Sequence, residues 1–298
     1  FRIVQNNASD PGQQKDVGTT TSGKRIMLHK EILEYDLRIL TGFIEPHFFA
    51  GFSGGGKAIM PGMASLETVR QNHAIRNLDH PNARWGHTSG NPLWDDIMEA
   101  AAMAAPLFLL NITLNRDKEI TGVFAGELRE AHARGCAFAK ETAMVPLKEA
   151  FDIVITSNAG YPLDLNIYQS VKGMSAAERI VKEGGSIVMA AECWDGIPSG
   201  SDYENILKSV DKVESLMDYI REHEAELQDT WQVYFQAMIQ MKADVYLYSK
   251  LDPTTVQSAH LEPVSNLNSL ISKLVDTYGP DTRICVLPEG PHTIPYLT

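Results

Sequence analysis

Short apolar runs and amphipathic stretches take turns along the chain, and their periods predict strands and helices in alternation. In the first half, strands are expected at Phe1–Val4, at Arg25–His29 and around Leu37–Leu40. Ser65–Leu78 reads as a helix with Ser65 as its N-cap and Leu66, Val69 and His73 on one side. Asn91-Pro92 starts another through Ala105, with proline at the first helical position. Leu107–Leu114 and Ile120–Phe124 flank the polar Asn115-Arg-Asp-Lys118 and read as a hairpin, with a further helix over Gly126–Thr142.

The second half has a more regular rhythm. Phe151-Asp-Ile-Val-Ile155 is a buried-strand run that ends in the turn-rich Ser157-Asn-Ala-Gly160. Ser175-Ala-Ala-Glu178 has the spacing of a capping box and predicts a helix from there to Gly184-Gly185. Ser186–Ala190, Val245–Ser249 and Arg283–Leu287 read as strands, and the stretches around Tyr203–Glu226, Asp229–Lys242 and Val264–Tyr278 as helices. Alternating strands and helices define the α/β class, with a parallel sheet covered on both faces. The expected architecture is two Rossmann-like α/β domains, 1–146 and 147–298, divided near Pro146.

Composition narrows the function. The 298 residues suit one large domain or two ordinary ones. The balance of 26 basic against 38 acidic residues, net −12, argues against general binding to nucleic acid or to an anionic membrane. Local basic groups can still hold a small anion. Cys136, Cys193 and Cys285 have no CxxC spacing, which argues against a disulfide scaffold or a cysteine zinc site and fits a reducing compartment. No apolar run approaches the ~20 residues that span a bilayer, and no signal-peptide pattern is evident, so a cytoplasmic location is expected. The chain opens at Phe1, without Met, and reads as a piece of a longer protein.

The densest chemistry lies in Pro46–Gly62. Glycines 51, 54, 55 and 56 permit positive φ and let backbone N–H groups approach a ligand, and Lys57 follows as a cation or a nucleophilic amine. The plain alternative is a tight structural turn with a solvated lysine. Gly51-x4-Gly56-Lys57 mimics a P-loop, but Ala58 replaces the Mg²⁺-binding hydroxyl and Pro61 falls in the helix that should follow. His47 and His73, read singly, are more often structural than functional. The even spacing of His73, His80 and His87 suggests zinc, yet Pro81 and Gly86 prevent one helix from presenting all three.

The combination is more specific than its parts. Glu45-Pro-His47, Gly51-Phe-Ser-Gly-Gly55, Lys57, Pro61-Gly62 and Asn72-His73 occur in this order and spacing. Together they resemble the nickel-dependent lactate racemase family, 2-hydroxyacid racemases and epimerases that use a nickel-pincer nucleotide. The likeness continues at Pro162-Leu-Asp164, Tyr168-Gln-Ser-Val-Lys-Gly173, Asp229-Thr-Trp-Gln232 and Pro288-Glu-Gly-Pro291, and so covers essentially the whole chain.

The resemblance implies a cofactor-binding, catalytic first domain and a second domain on the substrate side. The C-terminal tail would pack back on the first, with the active site between the two. Lys57 would tether nickel pyridinium-3,5-bisthiocarboxylate mononucleotide through a thioamide, and His73 would be the protein's nickel ligand. His47 would exchange the substrate hydroxyl proton. Ser53, Gly54, Gly55, Tyr168 and Trp231 would line the cofactor. Gln169 and Lys172 would bind substrate, with Lys172 a catalytic partner for its carboxylate. Read singly, Trp231 is equally helix core, and Lys172 a surface charge. The partners implied are a small 2-hydroxy acid and the cofactor-synthesis enzymes.

Such residues suit the chemistry. The C2 hydrogen of a 2-hydroxy acid is barely acidic beside a carboxylate, so its removal as hydride, while a base takes the hydroxyl proton, gives a keto acid and avoids a carbanion. Return of the hydride to the other face inverts the centre. One departure stands out: the family's upstream Asp-x-x-Arg element and second catalytic histidine, in an Ala-Thr-Gly-x-His-Arg context, have no match here. The chain as it stands is therefore expected to be inactive. The alternatives are malate or an aromatic 2-hydroxy acid as substrate, or a non-catalytic binder of a phosphorylated ligand.

Overall fold

In Arg25–His29 (β2) the alternate residues Ile26 and Leu28 are fully buried, the period-2 signature of a strand with one face in a core. Its antiparallel partner is Gln14–Thr19 (β1), whose polar composition hides it from a hydrophobicity reading. Of the expected strand at Phe1–Val4, Phe1 lies outside the described residues, and Arg2–Val4 are not in a strand. The computed structural model describes residues 2–298 and divides the chain into two compact units, Phe1–Thr142 and Ala143–Thr298.

The first unit holds a three-stranded sheet and a miniature hairpin. Its further strands are Arg38–Phe43 (β3), Pro46–His47 (β4), Gly51–Phe52 (β5), Leu107–Leu114 (β6) and Ile120–Gly126 (β7). Its helices are Leu66–Asn72 (α1), Ile75–Leu78 (α2), Pro92–Met103 (α3) and Leu128–Ala143 (α4). The sheet order is β3-β6-β7, and only β3 and β6 are parallel. The short polar turn at 115–118 forces β7 straight back along β6, so the sheet is mixed where strand–helix alternation suggested a parallel one. Ser65 accepts the Thr68 N–H and caps α1 as expected, but the helix stops at Asn72. The Asn77 side chain donates to the Gln71 and Asn72 carbonyls, satisfying acceptors at the helix end, and α2 begins again after His73.

Beneath this corner lies a buried ion pair. Lys24 and Asp96 contact each other with side chains only 4% and 2% exposed. The Asp96 carboxylate also accepts from Ser22 Oγ at 2.6 Å and Asn72 Nδ2 at 3.5 Å, and Lys24 Nζ donates to Asn77 Oδ1 at 3.4 Å. Two charges out of water are tolerated only because further hydrogen bonds satisfy them.

The second unit comprises Met144–Leu147 (β8), Phe151–Ser157 (β9), Ile167–Glu178 (α5), Val181–Ala190 (β10), Asp202–Lys208 (α6), Val213–His223 (α7) and Thr230–Lys242 (α8). It continues through Asp244–Tyr248 (β11), Pro253–Ser258 (α9), Glu262–Val264 (β12), Leu267–Tyr278 (α10), Ile284–Leu287 (β13) and Ile294–Leu297 (β14). Five strands form a fully parallel sheet, order β12-β11-β10-β9-β13, while β14 pairs with β8. One face packs Ile153, Ile155, Val188 and Tyr246 against Leu267, Leu270 and Leu274 of α10. On the other, Val154, Ile187 and Met189 are fully buried, and Gly173 of α5 sits close to the Met189 methyl.

The capping-box reading of Ser175 is overturned. Asn166 caps the helix by accepting the Gln169 N–H, so α5 starts well before Ser175 and that serine lies in its last turns. Gly184-Gly185 belongs to β10. The three cysteines are free, and among the described residues no helix is long and apolar enough to cross a membrane.

The buried pair sets a stability test. Lys24→Met removes the counter-charge of the buried Asp96 and should cost about 3–5 kcal/mol by denaturant unfolding, with Lys24→Met/Asp96→Leu recovering part of that loss. A loss under about 1 kcal/mol in the single variant, the value of a surface pair, would show that the site is wet.

Candidate functional site

His47, Lys57 and His73 gather around one ring. The β4–β5 hairpin turns through Phe48–Ala50, which places the buried Phe49 with its ring 4.5 Å from the His47 ring and 5.0 Å from the His73 ring, both edge-on. Lys57 Nζ lies 5.7 Å from the Phe49 centroid and 3.0 Å from His47 Nε2. The Ala50 N–H meets His47 Nδ1 at 3.3 Å and orients the ring from its other side.

His73 is set up differently. It is the C-cap of α1, and its Nδ1 lies 3.0 Å from the Val69 carbonyl. A carbonyl only accepts, so Nδ1 carries the proton and Nε2 the lone pair. Burial, with the Lys57 charge as the second cause, brings its pKa down from 6.5 to about 3, so the ring is neutral. A neutral imidazole with its tautomer fixed by a backbone carbonyl is the state that binds a borderline-soft metal. Among the described residues no group of three or more His, Cys, Asp or Glu could hold a metal, and His80 and His87 form no such set with His73. Of the residues gathered here, His73 could hold a metal through Nε2, and the Lys57 amine could hold an organic group.

The glycine loop works otherwise than its sequence suggests. Gly55–Ala58 is a single 3-10 turn with no helix after it, which removes the P-loop reading. A Cβ on Gly51 would lie 2.3 Å from the His87 carbonyl oxygen, one on Gly54 2.5 Å from Asn111 Oδ1, and one on Gly55 2.6 Å from the His132 ring. At each of these positions the missing side chain makes room for protein. The Gly55 N–H is already used, donating to Asn111 Oδ1 at 2.7 Å, and His132 Nε2 donates to the Ser53 carbonyl at 2.9 Å. Ser53 Oγ donates to the Phe43 carbonyl and accepts from the Glu45 N–H. Asn111 on β6 and His132 on α4 therefore hold the turn that delivers Lys57. Both are remote in sequence and carried no local signal.

A second cluster forms in the second unit. Its loop follows β9 where the sheet order reverses between β9 and β13, the usual ligand-binding edge of a parallel sheet. The fully buried Asn158 pins that loop to α5 by donating to the Gln169 carbonyl and accepting the Gly173 N–H. On α5, Tyr168 donates its hydroxyl to Asp229 Oδ1 at 3.1 Å and accepts from Trp231 Nε1 at 3.2 Å. Lys172 Nζ donates to Gln169 Oε1 at 2.8 Å. Burial, then the Asp229 charge, pushes the Tyr168 hydroxyl upward, so it stays protonated, and burial raises Asp229 as well. Asp229 belongs to the motif quoted above, but its bond to Tyr168 spans 61 residues and has no local signature.

A lysine–imidazole pair beside a buried neutral histidine in one unit, and a tyrosine–lysine helix face at the edge of a parallel sheet in the other, mark an α/β protein with polar, titratable clusters in both units. Comparison with known proteins gives the particular family. Residues 1–86 match the lactate racemase N-terminal domain, and residues 147–294 the lactate racemase C-terminal domain. Lactate racemase of Lactiplantibacillus plantarum is 39% identical over 290 residues, which is 97% of this chain and 68% of that protein. Lactate racemase of Thermoanaerobacterium thermosaccharolyticum is 39% identical over 292 residues, with the same coverage. The solved lactate racemase apoprotein from T. thermosaccharolyticum superimposes with a TM-score of 0.92 at 36% identity, covering 97% of this chain and 70% of that one. A Thermotoga maritima protein shares the fold at TM-score 0.71 and 17% identity, over 98% and 77% of the two chains. The chain belongs to the lactate racemase family and spans about two thirds of the length of these relatives.

The state of His73 has a pH signature. Its folded pKa, about 3, lies below the unfolded value near 6.5, so between them the unfolded chain holds a proton that the folded chain lacks. The stability of the neutral form is complete above pH ~6.5 and is lost as pH falls toward ~3. Burial lowers His132 in the same direction. His73→Leu should flatten the fall of stability across that window by up to about one proton, measured by urea unfolding at several pH values. An unaltered slope would show that His73 protonates freely in the folded state.

Proposed function

We propose that this chain is an isomerase that inverts the C2 centre of a small 2-hydroxy acid of the lactate class, working with a nickel-pincer nucleotide held by Lys57 and His73. The observation that carries the reading is His73, buried, neutral and tautomer-fixed within a cluster that also holds a lysine amine against a second imidazole. When bound, that group supplies a hydride acceptor beside a metal.

The chain's own residues account for the rest. His47, half-buried with its Nε2 3.0 Å from the Lys57 amine, is the group assigned to exchange the substrate hydroxyl proton. Lys57 is the attachment amine, and the turn packed on Asn111 and His132 limits its reach. Ser53, Gly54 and Gly55, and in the second unit Tyr168 and Trp231, are the residues assigned to cofactor binding. Gln169 and Lys172 take the substrate carboxylate, with the Lys172 ammonium already steered by Gln169. Supply of the cofactor would depend on enzymes that build it, in the reducing cytoplasm that three free cysteines fit.

Three measurements test this. In protein produced together with cofactor-synthesis enzymes, peptide mass spectrometry should find a large adduct on Lys57 that Lys57→Ala abolishes; active enzyme with an unmodified Lys57 would defeat the assignment. Metal analysis after loading should show that His73→Ala loses nickel more completely than His47→Ala. Equal retention would reverse the roles given to the two histidines. Turnover assays with lactate, malate and an aromatic 2-hydroxy acid separate the substrate classes, and binding without turnover of any would mark a binding protein.

A further inference from the structure

We propose that Asn91 is the positioning residue of the His47–Lys57–His73 cluster, acting through Phe49. Asn91 precedes α3, where its evident task is to cap the helix: Oδ1 accepts the Leu93 and Trp94 N–H groups at 3.1 and 3.5 Å. That task leaves the amide nitrogen over, and it is also committed. Nδ2 donates to the Phe49 carbonyl at 2.7 Å and to the His87 carbonyl at 2.9 Å. The side chain is fully buried, and both of its amide hydrogens are used on the two carbonyls.

These two acceptors belong to the two segments that meet at Gly51. The Gly86 N–H donates to the Gly51 carbonyl, and the α-carbon of Gly51 is pressed against the His87 backbone. Asn91 thus ties the tip of the β4–β5 hairpin and the 86–87 loop to the rigid start of α3. Phe49 is the residue at that tip, and its ring touches both histidines and faces the lysine amine. Moving the Phe49 backbone would move a ring that all three groups face. A cap needs only the oxygen, which serine, threonine or aspartate also provides. Asparagine is the residue that caps and donates twice.

The cap and the clamp can be separated. Asn91→Ser keeps a cap oxygen but cannot reach the two carbonyls, and Asn91→Asp keeps shape and cap while replacing the donor by an acceptor. The readout is trace acetylation of the cofactor-free chain with acetic anhydride, with each lysine's relative rate taken from peptide mass spectrometry and the exposed Lys15 as internal reference. In whichever variant retains the wild-type melting temperature within a few degrees, the Lys57 rate should rise about fivefold relative to Lys15 as the lysine leaves His47. Phe49→Leu should have the same effect, and Asn91→Ser/Phe49→Leu should be no worse than either alone, the coupling expected of two residues acting in series. An unchanged or slower Lys57 rate, or additive effects in the double variant, overturns the proposal.

The catalytic consequence rests on the function proposed above. In cofactor-loaded enzyme, the Asn91 variants should lower kcat for lactate with KM little changed, and an unchanged kcat would remove that consequence. If the wild-type protein never carries a cofactor on Lys57, the functional reading fails while the acetylation result still decides whether Asn91 positions the cluster.

Discussion

One buried ion pair joins the segments of the first unit around which His73 is placed. Lys24 comes from the turn after β1 and Asp96 from the middle of α3, so their contact joins the opening hairpin to the helix that anchors the site. Asn72 and Asn77 attach to the same pair and close the corner between α1 and α2, where His73 sits. A charge pair at this depth adds little net stability over an apolar pair of equal volume. What it adds is direction. Each partner is costly in any arrangement that leaves the other unpaired, so the hairpin, the corner and α3 share one register.

That register is what a neutral, metal-competent histidine requires. His73 Nδ1 can donate to Val69 only while the last turn of α1 is intact, and the turn is intact because Asn77 satisfies its final carbonyls. Burial then keeps the proton off Nε2. His47 has the opposite design, half-buried on a two-residue strand and in contact with an amine. Two residues of one type thereby stand in different environments, His73 buried with its tautomer fixed and His47 half-buried against an amine.

The second unit solves its placement problem with a parallel sheet. The order reverses between β9 and β13, and the loop after β9 is drawn onto α5 by Asn158. This sets Tyr168, Gln169 and Lys172 on the opening turns of a helix whose own cap, Asn166, is buried. Asp229 has φ +60°, a conformation uncommon outside glycine and asparagine, and from there reaches the Tyr168 hydroxyl.

Local patterns sufficed for much of this. The strands at Arg25–His29, Leu107–Leu114 and Phe151–Ser157, the caps at Ser65 and Asn91, and the helices over 92–103 and 128–143 follow from period and end signals that act within a few residues. The order Glu45-Pro-His47, Lys57, Asn72-His73 was enough to point to the family. Where two local signals competed, sequence reading erred: Ser175 looked like a cap because nothing nearby revealed that Asn166 had already started the helix. β1 was missed because its pairing with β2, and no apolar pattern of its own, makes it a strand. In the Lys57 loop, Gly54 and Gly55 are packed by Asn111 and His132, held to it from 56 and 79 residues away, contacts that no local pattern announces. The same holds for the state of His73 and for the reach of Asn91 to Phe49. Residue type and spacing determine which groups can do chemistry. Burial, tautomer and the neighbour across the fold decide which of them do, because dielectric and hydrogen-bond direction exist only once distant segments pack.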